Sequence, residues 1–218
     1  MNYIDLHTHQ LKNSGVFEIK NIFAQDYRIN EFNFMYSVGL HPWHIEYENW
    51  NDCFQKIIEA SVDRNMLFIG ECGLDRSIKI AFAMQEECFR QQIYIADKYC
   101  KPLIIHCVRA FNDLIRIKKE TKSLVPWILH GYSGNLETTL SLIKCGFYFS
   151  VGERFLNDGR RHEILKKIPD NLLFFETDES LVPIEELYQK ASAIRHKPEN
   201  ELISIVWNNL DTILKSDI

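Results

Sequence analysis

The sequence predicts a shortened (β/α)8 TIM barrel of the α/β class. Three observations point there. Short apolar runs recur eight times along 218 residues, helical stripes separate most of them, and several runs end in a histidine or a carboxylate. The runs are Tyr3–Leu6, Phe17–Phe23, Met35–Val38, Leu67–Ile69, Leu103–Ile105, Trp127–Leu129, Phe147–Val151 and Leu172–Phe175. Continuous apolar runs of this length suit strands buried on both faces, as in a parallel sheet covered by helices.

The helices follow from periodicity. Trp50, Phe54, Ile57, Ile58 and Ser61 form one stripe; Phe82, Phe89, Ile93, Ala96 and Cys100 form another, with Gln85, Glu86, Arg90 and Asp97 expected at solvent. Pro102 starts the fifth strand where a helix could not continue. Asn135 caps a helix carrying Leu136, Leu140 and Ile143, and Gly146 ends it. From Glu185 onward the chain reads as one or two closing helices broken near Pro198.

The first third departs from the repeat. About ten residues separate the first two runs and about eleven the next two, whereas a parallel crossover needs a dozen or more. Strands 1 to 3 are therefore expected to lack their outer helices. The length also falls below the ~250 residues typical of this barrel. The bare side needs cover from a loop, the C-terminal helices or a second subunit, so a homodimer through that side is one expectation. No linker or tandem repeat appears, and 1–218 reads as a single domain.

Composition narrows the function. A 46% hydrophobic and 25% charged chain is an ordinary globular one, and its net charge of −5 is not that of a basic, sequence-reading nucleic-acid binder. Bound metal ions could still attract an anionic substrate. Six cysteines without a CxxC read as reduced, buried thiols of a cytoplasmic protein. No signal peptide is visible, and no run approaches the ~20 residues of a membrane helix, so no membrane partner is expected.

The chemistry gathers at strand ends, where barrel enzymes place their working groups. In Asp5-Leu6-His7-Thr8-His9, alternate side chains share a strand face, so two imidazoles can grip one ion. Alone, an HxH is weak. Glu71, His106, His130 and Asp178 close four further runs. Four imidazoles and two carboxylates could hold two divalent ions, with Glu71 able to bridge. Such donors suit zinc, manganese or iron, while magnesium prefers more oxygen. Asp5 reads equally as support for the histidines or as a buried hydrogen-bonded group. His41, before Pro42, could touch substrate or only make a turn, and His44 packs or caps beside Trp43. Arg76, Arg109 and Arg154 could contact phosphates, although solvated charge is the default for each. The Tyr132-Ser133-Gly134 segment precedes a helix N-terminus and could bind an anion or merely cap. His162 and His196 read as surface groups.

Six segments together resemble the TatD family of metal-dependent hydrolases, within the amidohydrolase-like barrels. They are Ile4-Asp5-Leu6-His7-Thr8-His9, Val38-Gly39-Leu40-His41-Pro42, Ile69-Gly70-Glu71-Cys72-Gly73-Leu74-Asp75, Pro102-Leu103-Ile104-Ile105-His106, His130-Gly131-Tyr132-Ser133-Gly134 and Glu176-Thr177-Asp178. The resemblance implies that His7, His9, Glu71 and Asp178 hold one ion and that Glu71, His106 and His130 hold the second. It also implies deoxyribonuclease activity, including 3′–5′ exonuclease action, on DNA or small phosphodiesters. Two departures stand out. Arg109 lies three residues after His106 where the family has two, and Ser180 stands where a proline is common.

On this reading two cations (zinc, manganese or magnesium) activate a shared water as hydroxide and polarise a phosphoryl oxygen. Asp178 orients the water and takes its proton, and Glu71 is the other catalytic carboxylate. His41 and Arg109 are the candidate substrate contacts. The same barrel could instead hydrolyse C–N or C–O bonds, where relatives often bridge metals with a carboxylated lysine rather than a glutamate. A non-catalytic metal-binding protein is the third possibility.

Overall fold

The computed structural model describes residues 2–12, 15–29, 31–46 and 48–215. Eight strands are joined in one sheet in chain order: β1 (Tyr3–Thr8), β2 (Val16–Phe23), β3 (Tyr36–Gly39), β4 (Met66–Asp75), β5 (Leu103–Val108), β6 (Trp127–Leu129), β7 (Phe147–Val151) and β8 (Leu173–Phe175). The helices are α1 (Trp50–Ser61), α2 (Phe82–Tyr99), α3 (Phe111–Thr121), α4 (Leu136–Lys144), α5 (Glu153–Asn157), α6 (His162–Lys167), α7 (Ile184–Arg195) and α8 (Glu199–Leu214). Strands pair in parallel at β1–β2, β3–β4, β4–β5 and β7–β8. This is the expected (β/α)8 barrel. Among the described residues no α-helix separates β1 from β2, and a single 3₁₀ turn at Ala24–Asp26 is all that lies between β2 and β3.

The chain divides into two compact units, Met1–Lys20 with Leu129–Lys215, and Asn21–Ile128. In the first, β1 and the segment after β8 run side by side in parallel. The Asp178 amide donates to the His7 carbonyl at 2.9 Å, the His9 amide donates to the Asp178 carbonyl at 3.2 Å, and Thr8 forms a bridge with Asp178. Ile4, Leu6, Phe147, Phe149, Phe174 and Phe175 are fully buried around these strands. The closing helices pack back onto β1. Tyr188 Oη donates to the Ile4 carbonyl at 3.1 Å, Trp207 Nε1 donates to the Asn2 carbonyl at 2.6 Å, and the Trp207 ring lies 5.2 Å from Phe17. Asn135 caps α4 by accepting from the Thr138 amide at 2.9 Å, and Gly146 follows that helix at φ +70°.

In the second unit an aromatic loop does the work of a missing helix. Tyr27, Phe32 and Phe34 pack on one another and on Tyr36 of β3, with centroids 5.2–6.4 Å apart. Tyr36 Oη then donates to Asp63 at 2.7 Å. Such rings bury large apolar areas without needing a helical backbone. The α2 stripe is as expected at Phe89, Ile93 and Ala96, which are buried, but one stripe position and one solvent position of the helix are not. Gln85, expected at solvent, is buried, because its amide bonds strand backbone. Cys100 is the exposed left-handed cap of α2 rather than a stripe residue.

On the outer face, Glu86 of α2 bonds Arg90 and reaches Arg116 of α3 at 2.6 Å. The Arg116 guanidinium, followed in effect by burial in the opposing sense and by Arg90, leaves the Glu86 carboxyl lowered to about 2 from its ordinary 4.5. A depressed carboxylate stabilises the fold above its unfolded pKa and stops doing so as pH falls through the folded value. The group is near solvent, so screening reduces the effect to about 1 kcal/mol. Glu86→Gln should therefore lose about 1 kcal/mol in urea unfolding at pH 7. The gap to the parent should close as pH falls from 4.5 towards 2.

Candidate metal-binding clusters

Each unit carries its own cluster of metal-type donors. In the first unit His7 is buried near the end of β1, and His9 lies just beyond it. The β1–β2 register shifts between Asp5 and Thr8. Asp178 follows β8 in a left-handed conformation, φ +53°, which a short polar side chain tolerates better than most. Its Oδ1 lies 3.4 Å from His9 Nε2 and 3.8 Å from His7 Nε2. His130, after β6, places its ring 4.5 Å from that of His7.

The backbone around Asp178 is fixed by Asp5. The Asp5 carboxylate accepts from the Thr177 amide at 2.9 Å and from the Thr177 hydroxyl at 2.6 Å. Burial pushes the Asp5 carboxyl up to about 7, against those hydrogen bonds. Asp5 is thus a buried anchor for the residue next to Asp178. Glu176, also buried, accepts from the Gly131 amide and lies 3.5 Å from His130 Nδ1, holding the His130 turn.

In the second unit Glu71 and His106 stand on neighbouring strands. Glycines permit this approach. Gly70 and Gly73 of β4 have φ +155° and +139°, and a Cβ at either would strike the β5 backbone at Ile104 or His106. Glu71 Oε1 lies 3.0 Å from His106 Nδ1 and 3.1 Å from His41 Nε2. The other ring nitrogen of His106 is 3.1 Å from Asp75 Oδ2. A neutral imidazole has one N–H, yet His106 faces carboxylate oxygens on both sides. In the neutral ring one of the two contacts sets a lone pair against an acceptor, and either a second proton on the ring or a metal ion at that contact relieves it. That is the environment a divalent cation fits, and imidazole with carboxylate is a suitable donor set.

His41 is different. The Trp43 backbone amide donates to His41 Nδ1 at 3.1 Å. With Nδ1 accepting, the neutral ring carries its proton on Nε2, which then donates to Glu71. His41 therefore orients Glu71 rather than offering a lone pair to a metal, although His41, Glu71 and His106 place donor-type atoms within 4.8 Å of one another.

Supporting residues absent from the sequence-based list surround this cluster. Asn21 Oδ1 accepts from the Glu71 amide at 2.8 Å and from Ser37 Oγ at 3.1 Å. Asp75 also accepts from the Ser77 amide at 2.8 Å and Trp43 Nε1 at 2.9 Å. Burial raises its pKa, but the bonds from His106, Ser77 and Trp43 overcome that and hold the carboxyl well below its usual range. Two glutamines seven residues apart on α2 brace the backbone. Gln85 bonds the Asp75 amide and carbonyl at 2.8 and 3.1 Å, and Gln92 does the same for Leu40 at 2.8 and 3.0 Å. Their helical spacing was legible; the polar target was not.

The remaining sequence-based candidates are dispersed. Arg76 pairs with Asp113 at 2.8 Å and lies over Phe82, which commits it to structure. Arg109 is exposed after β5 at φ +54°, and Arg154 is exposed on α5. Tyr132 is buried, with its hydroxyl 2.6 Å from Thr139 Oγ1, as a structural cap would be. His44 packs edge-on against Phe23, and His162 bonds the Leu156 carbonyl.

Comparison with known proteins agrees with the motifs. The profile of TatD related DNase matches residues 16–215, leaving His7 and His9 just before the matched stretch. An uncharacterized metal-dependent hydrolase of Bacillus subtilis, YabD, is 34% identical over 155 residues, covering 69% of this chain and 60% of that protein. A 3'-5' ssDNA/RNA exonuclease TatD of Dickeya dadantii is 27% identical over 175 residues, covering 74% of this chain and 63% of its own length. The chain thus spans about three fifths of the length of these relatives. The solved structure of YJJV, a TatD homolog of Escherichia coli K12, matches with TM-score 0.85 and 20% identity over 97% of both chains. A TatD family hydrolase of Entamoeba histolytica matches with TM-score 0.80 and 18% identity over 98% of both.

Removing the carboxylate that orients His106 should weaken the second cluster. Asp75→Ala is expected to lower Mn²⁺ affinity about 10- to 100-fold by isothermal titration.

Proposed function

Because the chain belongs to the TatD related DNase family, we propose that it is a metal-dependent phosphodiesterase acting on DNA, as a 3′–5′ exonuclease or on small nucleotide esters. The whole of 1–218 is taken as one catalytic domain. The observation that carries this reading is His106 beside Glu71, an imidazole and a carboxylate on neighbouring strands that together suit a divalent cation. The assignment gives His7, His9 and Asp178 to one ion and Glu71 with His106 to another, with His130 beside His7 as a further ligand. A bound divalent ion would supply a water of lowered pKa and a polarised phosphoryl oxygen.

The chain's own groups do the rest. On this reading Asp178, whose Oδ1 lies close to both His7 and His9, accepts the proton of the attacking water. His41 keeps the Glu71 carboxylate oriented through its Nε2–H. Arg109, exposed after β5, is the candidate phosphate contact. No described helix is long and apolar enough to cross a membrane, and the six free cysteines support a reducing, cytoplasmic setting.

Two contacts favour a monomer over the expected homodimer. Trp207 lies against Phe17 in one unit, and the aromatic loop covers β3 in the other, so the chain is taken to work as a monomer. Light scattering at micromolar concentration should return a mass near 25.8 kDa, whereas twice that mass would restore the dimer.

The activity itself is tested by 3′-end release from single-stranded DNA with measured metal content. Chelation should abolish release, and added Mn²⁺ should restore it. Asp178→Asn should keep the thermal midpoint within a few degrees and lose about 10²- to 10⁴-fold in kcat, the usual range for a general base. Full activity in EDTA, or in Asp178→Asn, would refute the assignment.

A further inference from the structure

Trp43 is an aromatic side chain 53% exposed in the turn after β3. Singly exposed apolar residues need no explanation by themselves. This one is held in place. Its Nε1–H donates to Asp75, which is 1% exposed, at 2.9 Å. Its ring meets His41 edge-on at 4.8 Å and His106 at 5.9 Å, with interplanar angles of 83° and 75°. The turn is closed beneath it, since the Trp43 amide bonds His41 Nδ1 and the His44 amide bonds the His41 carbonyl at 3.0 Å. Neither imidazole stacks parallel to the indole. About half of this ordered indole is therefore open to solvent directly beside the Glu71–His106 cluster.

Resting on the phosphodiesterase reading above, we propose that Trp43 is a nucleobase platform, which stacks a base of single-stranded nucleic acid while its phosphodiester lies at the Glu71–His106 cluster. Three features support this ligand. Every base offers a π-face, so stacking is tolerant of sequence. The indole is already ordered by Asp75 and His41, which lowers the entropy lost on binding. A chain of net charge −5 gains little general attraction for the phosphate backbone, so an uncharged source of affinity is needed. Asp75 Oδ2 accepts from both Trp43 Nε1 and His106 Nε2. One oxygen thus sets the spacing between platform and cluster.

The test compares a short single-stranded oligodeoxynucleotide with an abasic oligomer of tetrahydrofuran phosphodiester units. The readout is the ratio of kcat/KM for the two within each variant, which cancels any general damage to the cluster. Stacking on one aromatic ring should make the ratio roughly ten in the parent and close to one in Trp43→Ala. Trp43→Phe, which keeps a ring, should retain most of it. A Trp43→Ala ratio equal to the parent's overturns the proposal. If the parent cleaves neither oligomer, the phosphodiesterase reading fails separately, and the platform is judged by binding. In EDTA-treated protein the oligodeoxynucleotide should quench fluorescence in the parent and not in Trp43→Phe, with no quenching by the abasic oligomer. Equal quenching in both proteins, or none in either, overturns the platform.

Discussion

A neutral imidazole can donate one hydrogen bond, and His106 stands between two carboxylates. That mismatch is the constraint on which the second unit depends. Glu71 and Asp75 lie four residues apart on β4 and reach the two nitrogens of one ring on β5. Bringing these groups together costs desolvation of two carboxylates, and leaving either unpaired would cost more. The neighbouring structure offsets that cost with fixed donors. His41 Nε2–H turns towards Glu71, while the Ser77 amide and Trp43 indole turn towards Asp75. A proton or a metal ion at the Glu71–His106 contact would complete the arrangement. The cluster is therefore a preformed set of imidazole and carboxylate donors of a kind that could hold a metal ion.

The backbone is shaped to the same end. Strand β4 is ten residues long because it must carry both acids past β5, and it can lie close only where Gly70 and Gly73 leave no side chain in the way. Gln85 and Gln92 brace the backbone at Asp75 and before His41, using a polar stripe of α2 that faces inward. In the first unit Asp5 plays the corresponding part for Asp178, through Thr177. In both units a buried polar side chain fixes main chain next to a working residue. Such bonds are expensive to break in a low-dielectric interior, which is why they can hold a side chain to a few tenths of an ångström.

Much of this was legible in the sequence where the signal was local. The runs Trp127–Leu129 and Phe147–Val151 are strands with those same limits, and Asn135 caps its helix as its position implied. The short spacings before β2 and β3 agree with the lack of an α-helix there among the described residues. Apolar periodicity failed where burial is polar. The run Leu67–Ile69 gave only the first part of β4, since Glu71, the glycines and Asp75 interrupt the pattern without ending the strand. Gln85 looked solvent-facing because its partner is main chain ten residues away, which no helical stripe can reveal. Asn21 had a readable signal, a polar residue inside an apolar strand, but its target at Glu71 lies fifty residues on.

The same reasoning separates His41 from His106, which sequence alone treats as similar histidines near strand ends. What distinguishes them is the partner of the second nitrogen. His41 Nδ1 receives a backbone amide, so its other nitrogen must donate; His106 Nε2 faces a carboxylate, so its other nitrogen can keep a lone pair. A ring free to offer a lone pair and a ring that must donate therefore differ by one hydrogen bond made on the far side of the ring. Asp75 joins the two roles, because the oxygen that fixes His106 also fixes the indole whose own amide fixes His41. Altering that one carboxylate disturbs the ligand, the donor and the exposed ring together, and the cluster cannot be re-tuned one residue at a time.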